Sequence, residues 1–163
     1  MTGLLYLFTG DGKGKTTAAI GTAVRAAGYG KRAVVVQFLK WGDYGETRCP
    51  SLEFYQFGSQ DFVTRPTDED RQRARSGMAR AAELLEQQPF LLVLDEVTVA
   101  VSLGLLSTDE VLSLVRTRGD THVILTGRHA PLALTDEADL VTHMCKVKHP
   151  YDRGTEGIKG LEF

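Results

Sequence analysis

The stretch LYLFTGDGKGKTTAAIG, residues 5–21, constrains the fold more than any other part of this 163-residue chain. A continuous apolar run ends at Thr9. Gly10, Gly12 and Gly14 then alternate with Asp11, Lys13 and Lys15, and a segment of small helix-forming residues follows. A strand that is apolar at successive positions has to be covered on both faces. Strand, glycine loop and helix in that order form the first half of a strand–helix–strand crossover. Glycine permits backbone conformations that other residues avoid, so the loop can turn successive N–H groups inward on an anion. The helix N-terminus adds a positive partial charge and Lys15 a full one.

The rest of the chain repeats that alternation. Residues 4–8, Ala33–Phe38 (AVVVQF), 52–57, 90–94, His122–Thr126 and 140–147 read as strands. Residues 16–27 read as the first helix, with Gly28 and Gly30 as stop signals. Residues 41–50, holding Gly42, Gly45 and Pro50, read as a loop. Thr67 caps a second helix, with Asp68, Glu69 and Asp70 in its first turn. Its apolar face is predicted as Ala74, Met78, Ala81, Ala82 and Leu85, and Pro89 lies just beyond its end. Thr108–Arg116 reads as an N-capped helix, residues 134–138 as a short one, and residues 148–163 as a polar, glycine-rich tail. The pattern predicts an α/β fold: a mostly parallel sheet with helices on both faces, P-loop NTPase-like in the RecA manner, and one domain over residues 1–163.

Composition narrows the function. A net charge of −2 gives no overall basic footprint for nucleic acid. No apolar stretch is long enough to span a membrane. Cys49 and Cys145 lack any metal or redox spacing and read as reduced thiols, which predicts a cytoplasmic protein.

Ligands of parallel sheets bind at the carboxyl ends of the strands. Residues 10–16, Lys40, Asp95 with Glu96, and Gly127 with Arg128 all fall at such ends. Gly14, Lys15 and Thr16 match the end of the phosphate-loop pattern G-x-x-x-x-G-K-[ST], with Thr9 at the first glycine position. Thr9, Gly10, Asp11, Gly12, Lys13, Gly14, Lys15, Thr16, Thr17 and Arg128 are therefore candidates for holding a nucleotide. Lys13 reads equally well as a solvated lysine. Thr16, Asp95 and Glu96 are candidates for holding Mg²⁺. The four histidines show no metal spacing, and no acid–base pair stands out. These motifs call for nucleoside triphosphate binding and leave the reaction open among a transferase, a small P-loop ATPase or kinase of another type, and a binding module without chemistry.

Several stretches together resemble one family, the P-loop ATP:corrinoid adenosyltransferases. They are TGDGKGKTTAAIGTAVRAAGYG (residues 9–30), VVQFLK (35–40), EF…GSQDF (53–62), LLVLDEV (91–97), LTGRHAP (125–131), ADLVTHM (138–144) and VKHPYDRG with the terminal GLEF (147–163). The resemblance implies that ATP and a corrinoid are the substrates, with Mg²⁺. It implies that the loop grips the triphosphate with the nucleotide reversed relative to ordinary P-loop hydrolases, so that ribose C5′ is the reacting atom. Lys15 and Thr16 are then catalytic. So is Phe62, which matches a family aromatic that sits against the corrin and displaces its lower axial ligand. The resemblance further implies a homodimer and a flavoprotein-type electron donor. The chain departs from the family at Thr64, where a Trp is common, and around Lys159 in the tail. It also begins at the first strand, where many members carry a preceding segment that covers the corrinoid. Closure of that site is expected to differ here, or to come from a partner subunit.

Overall fold

The computed structural model describes every residue except Met1, Phe62 and Phe163. Its strands are β1 (Leu5–Thr9), β2 (Ala33–Phe38), β3 (Glu53–Phe57), β4 (Leu91–Asp95), β5 (His122–Thr126) and β6 (Leu140–His143). They form one sheet in the order β3-β2-β4-β5-β1-β6, and every pairing is parallel. The helices are α1 (Lys15–Gly28), α2 (Asp68–Glu86), α3 (Val97–Ser102), α4 (Thr108–Arg116) and α5 (Leu132–Glu137). Because β5 lies between β1 and β4, the chain crosses over it to place the glycine loop and the acidic end of β4 one strand apart. This is the RecA-like arrangement the sequence predicts.

Strand residues alternate between two buried layers. Leu5, Leu7, Val34, Val36, Leu92, Leu94, Val123 and Leu125 face the layer containing α2–α5. Phe8, Ala33, Val35, Leu91, Val93 and Ile124 face α1 through Ala19, Ala23 and Ala26. Both faces of the four central strands β1, β2, β4 and β5 are buried, which explains why these read as unbroken apolar runs, whereas the edge strand β3 is only partly buried and β6 is exposed. Alanines on α1 let its backbone lie close to the sheet and bring its N-terminus to the strand ends.

Thr67 and Asp70 close α2 with a capping box, and Ser107 and Glu110 do the same for α4. Each such cap satisfies helix N–H groups that otherwise lack partners.

Several expectations need correction. On α2, Leu84 is buried and Ala82 exposed, so the core face is rotated from the predicted one. The strand expected over residues 140–147 stops at His143, because its only ladder partner, β1, stops at Thr9. The loop after β2 contains a 3₁₀ turn at Gly45–Arg48, and the tail contains another at Pro150–Arg153. Helix α3 was not anticipated, since its sequence VTVAVS is rich in β-branched residues that favour strands. Burial of Val97, Thr98 and Ala100 against the sheet overrides that local preference.

Candidate functional site

The carboxyl ends of the central strands surround a cavity of about 640 Å³, lined by residues 11–17 of the glycine loop and by Lys40, Glu46, Glu96 and Arg128. Four of its lining residues are cationic: Lys13, Lys15, Lys40 and Arg128. Gly14 is the N-cap of α1, with φ of 120° and no side-chain cap. Unlike α2 and α4, α1 therefore keeps its first-turn N–H groups available to an anion.

The segment after β6 runs directly behind the loop. The Met144 N–H donates to the Thr9 carbonyl at 2.8 Å, and the Gly12 N–H donates to the Met144 carbonyl at 2.7 Å. A Cβ on Gly10 would lie 2.5 Å from the Met144 carbonyl oxygen, and one on Gly12 2.7 Å from those of Met144 and Cys145. Thr9 and Gly10 are buried and lie behind the cavity rather than on its surface. Close packing against residues 144 and 145 is thus a second reason for glycine here, beyond freedom around a phosphate. Gly12→Ala should force the two segments apart, cost about 1–3 kcal/mol of stability and weaken nucleotide binding. A melting temperature equal to wild type would show that the close approach is not maintained.

Lys15 is buried, and its Nζ donates to the Gly12 carbonyl at 2.7 Å. Burial holds its pKa below the ordinary lysine value, and the positive charge of Arg128 adds to that shift. A bound polyanion would ease both effects.

Asp95 has no exposed surface and is fully engaged. Its Oδ1 accepts from Thr16 Oγ1 at 2.8 Å and Thr126 Oγ1 at 2.7 Å. Its Oδ2 accepts from Lys40 Nζ at 2.8 Å and Gln37 Nε2 at 3.1 Å. Burial alone would push its carboxyl up. The Lys40 ammonium, together with the hydrogen bonds from Lys40, Thr126 and Thr16, outweighs that and holds it below the usual carboxylate range. Glu96 is different. Its φ of 63° turns it out of the strand direction and its side chain lines the cavity. Its N–H is tied to Thr126 Oγ1 at 2.9 Å, and among the described residues its carboxylate makes no hydrogen bond. Burial pushes its pKa up, and the charge of Asp95 adds to that.

The oxygens of Thr16 and Glu96 suit a hard cation such as Mg²⁺. Thr16 gives its proton to Asp95 and accepts from Lys40 Nζ at 3.4 Å, which leaves one lone pair of its hydroxyl for another contact. Asp95, with four donors on two oxygens, fits the role of orienting Thr16 rather than that of a direct ligand.

Of the four non-glycine residues with left-handed backbone among the described residues, three, Leu39, Glu96 and His129, sit just beyond β2, β4 and β5. Such strain costs about 1–3 kcal/mol each and persists where the surroundings over-determine it, commonly at functional sites. Sequence reasoning placed Lys40 at a ligand-facing strand end without giving it a role, and it missed Gln37, Glu46 and Thr126. One signal was present: Gln37 interrupts the apolar run AVVVQF, and a buried amide needs partners. Phe62 lies outside the described residues.

A phosphate-type loop between a parallel strand and an uncapped helix, one strand from a buried acidic end, defines a P-loop nucleotide-binding protein of the RecA-like kind. Within that class, residues 1–163 match the family described as ATP:corrinoid adenosyltransferase BtuR/CobO/CobP, and the chain belongs to that family. It is 37% identical to the corrinoid adenosyltransferase of Pseudomonas aeruginosa over 170 aligned positions, covering 99% of this chain and 84% of the relative. It is 38% identical to corrinoid adenosyltransferase CobA of Salmonella typhimurium over 169 positions, covering 99% and 86%. With the Escherichia coli corrinoid adenosyltransferase it shares 35% over 169 positions, covering 99% and 86%. The family resemblance visible in the sequence is borne out over the full length. No helix among the described residues is long and apolar enough to cross a membrane.

Proposed function

We propose that this protein moves the 5′-deoxyadenosyl group of ATP to the reduced cobalt of a corrinoid and releases triphosphate. The observation that carries this reading is the single cavity that gathers Lys15, Thr16, Glu96 and Arg128 at the open N-terminus of α1, in a chain of this family. The Co(I) electron pair attacks ribose C5′, the bond from C5′ to the triphosphate oxygen breaks, and its electrons leave on triphosphate. The nucleophile carries no proton to remove, and the leaving group is an anion that needs no acid. The chain's task is then to hold the reactants in line and to meet the charge that develops on triphosphate. Lys15 and the first-turn N–H groups of α1 bind the phosphates, and Arg128 adds charge beside them. Thr16 and Glu96 would hold Mg²⁺, which offsets phosphate charge when bound. The protein acts in the cytoplasm as a homodimer with a flavoprotein-type reductant on this reading. Light scattering that returned a monomeric mass for fully active protein would remove the dimer.

The deciding experiment is anaerobic incubation with ATP, Mg²⁺ and chemically reduced cobalamin. Adenosylcobalamin and triphosphate are expected in equal amounts, whereas ADP or orthophosphate as the primary product would refute the reading. Chelation of divalent cations with EDTA should abolish turnover, and activity that persists without them would remove Mg²⁺ from the site.

Phe62 is proposed to face the corrin where the lower axial ligand would bind, a reading that rests on family resemblance alone. An apolar ring offers no lone pair, which favours four-coordinate Co(II) and eases its reduction. Phe62→Ala should lower turnover from Co(II) far more than turnover from pre-reduced Co(I), with ATP affinity unchanged. Equal losses from both starting states would count against this role.

A further inference from the structure

Lys40 stands two residues beyond the end of β2, and its ammonium is seated among the groups that read as a metal site. Nζ lies 2.8 Å from Asp95 Oδ2 and 3.4 Å from Thr16 Oγ1. A second seat adjoins the first. Glu46 Oε1 is 3.7 Å from Nζ, and the centre of the Tyr44 ring is 5.3 Å away. Both residues line the nucleotide cavity. Gln37 bridges the two seats: its Nε2 donates to Asp95 Oδ2 at 3.1 Å and to Glu46 Oε1 at 3.2 Å. Asp95 would therefore keep a donor on Oδ2 if Lys40 left.

The backbone of Lys40 is held firmly. Leu39 before it has φ of 61°, the Gly58 N–H donates to the Lys40 carbonyl at 3.0 Å, and a Cβ on Gly58 would lie 2.3 Å from the Lys40 nitrogen. Any displacement of the ammonium must come from side-chain rotation, and the lysine stem has the freedom for it.

We infer that Lys40 is a tethered cation that keeps the Thr16–Asp95 position closed to divalent metal until ATP arrives, and that it then swings to Glu46 and Tyr44. This rests on reading the cavity as a metal–nucleotide site. An ammonium within hydrogen-bonding distance of Thr16 and a divalent cation on Thr16 repel each other in a partly buried place, so the two occupy it in turn. The triphosphate supplies the additional negative charge that tips the exchange toward the metal. Glu46 and the face of Tyr44 receive the displaced charge, so it is not left unpaired. Lys40 is on this account a positioning residue: it acts through Thr16 and Asp95, and its effect is on when metal binds.

The test uses Mn²⁺ as the probe, titrated by calorimetry or by the loss of its free electron-spin signal, against wild type, Lys40→Arg and Lys40→Met. Without nucleotide, wild type and Lys40→Arg should bind Mn²⁺ weakly. Lys40→Met should bind it at least about tenfold more tightly, since a repelling unit charge near the site is gone. Equal affinity in wild type and Lys40→Met overturns the inference. With ATP present, wild type should bind Mn²⁺ tightly, and failure there overturns the metal–nucleotide reading itself. A second measurement needs no variant. In a crystal structure of the wild-type protein with ATP and Mg²⁺, the Lys40 ammonium should bind Glu46 and be out of hydrogen-bond reach of Asp95. If it stays on Asp95, the exchange does not occur.

Discussion

Asp95→Ala is expected to lower unfolding free energy by about 3–5 kcal/mol, the range for breaking a buried ion pair by removing one partner. The carboxylate has no exposed surface and accepts from Thr16, Thr126, Gln37 and Lys40. Its loss takes the 2.8 Å partner from the Lys40 ammonium, which is largely buried and keeps only Glu46 at 3.7 Å as a carboxylate neighbour, and it leaves the Thr16 and Thr126 hydroxyls without their acceptor. Urea denaturation should show a lower midpoint, and turnover should fall because Thr16 loses the group that orients its hydroxyl. Asp95→Asn keeps the shape and part of the hydrogen bonding, so its cost should be smaller. If Asp95→Ala loses less than about 1 kcal/mol, within the range for a surface ion pair, the four-donor network does not organise the site.

Lys15→Ala should do the reverse: leave the fold intact and remove the phosphate grip. The side chain is buried, yet among the described residues its one hydrogen bond is to the carbonyl of Gly12, and burial already disfavours its charge. Truncation therefore takes away a desolvated ammonium and should not lower stability. On the proposed function its value lies in the complex, where each charge-assisted hydrogen bond to triphosphate would be worth about 1.5–3 kcal/mol. ATP affinity should fall by roughly 10- to 150-fold per bond lost, and on the proposed mechanism kcat should fall with it, because the same charge would meet the leaving group in the transition state. Nucleotide titration and urea denaturation of the same sample separate the two effects. Wild-type ATP affinity in Lys15→Ala would take the residue out of the site, and an equal loss of stability would make it a core residue. The pair of variants divides the cavity into groups that build it and groups that use it.

Much of the architecture was legible because its causes are local. Unbroken apolar runs mark doubly covered strands, the residues at 67 and 107 mark helix starts, and the glycine loop marks the β1–α1 junction. Helix α3 was not legible, since Val97, Thr98, Val99 and Val101 argue against a helix until the sheet buries one side of them. The core face of α2 was misplaced around Ala82 and Leu84 because the exact rotation of a helix depends on what it packs against.

The same division holds at the site. The amino-acid sequence by itself determined the class of ligand: a strand, three glycines, Lys15 and Thr16 in succession make an anion cradle whatever surrounds them, and the acidic end of β4 adds groups suited to a cation. Only the tertiary structure decided how the adjacent acids divide the work. Asp95 ends β4 pointing into the sheet interior, where Thr126 and Gln37 from neighbouring strands reach it. The left-handed turn at Glu96 swings that side chain to the cavity. Lys40 is 55 residues from Asp95 in the chain and 2.8 Å from it in space. Nothing in the local pattern of either residue encodes that pairing, because it arises from the parallel register of β2 beside β4.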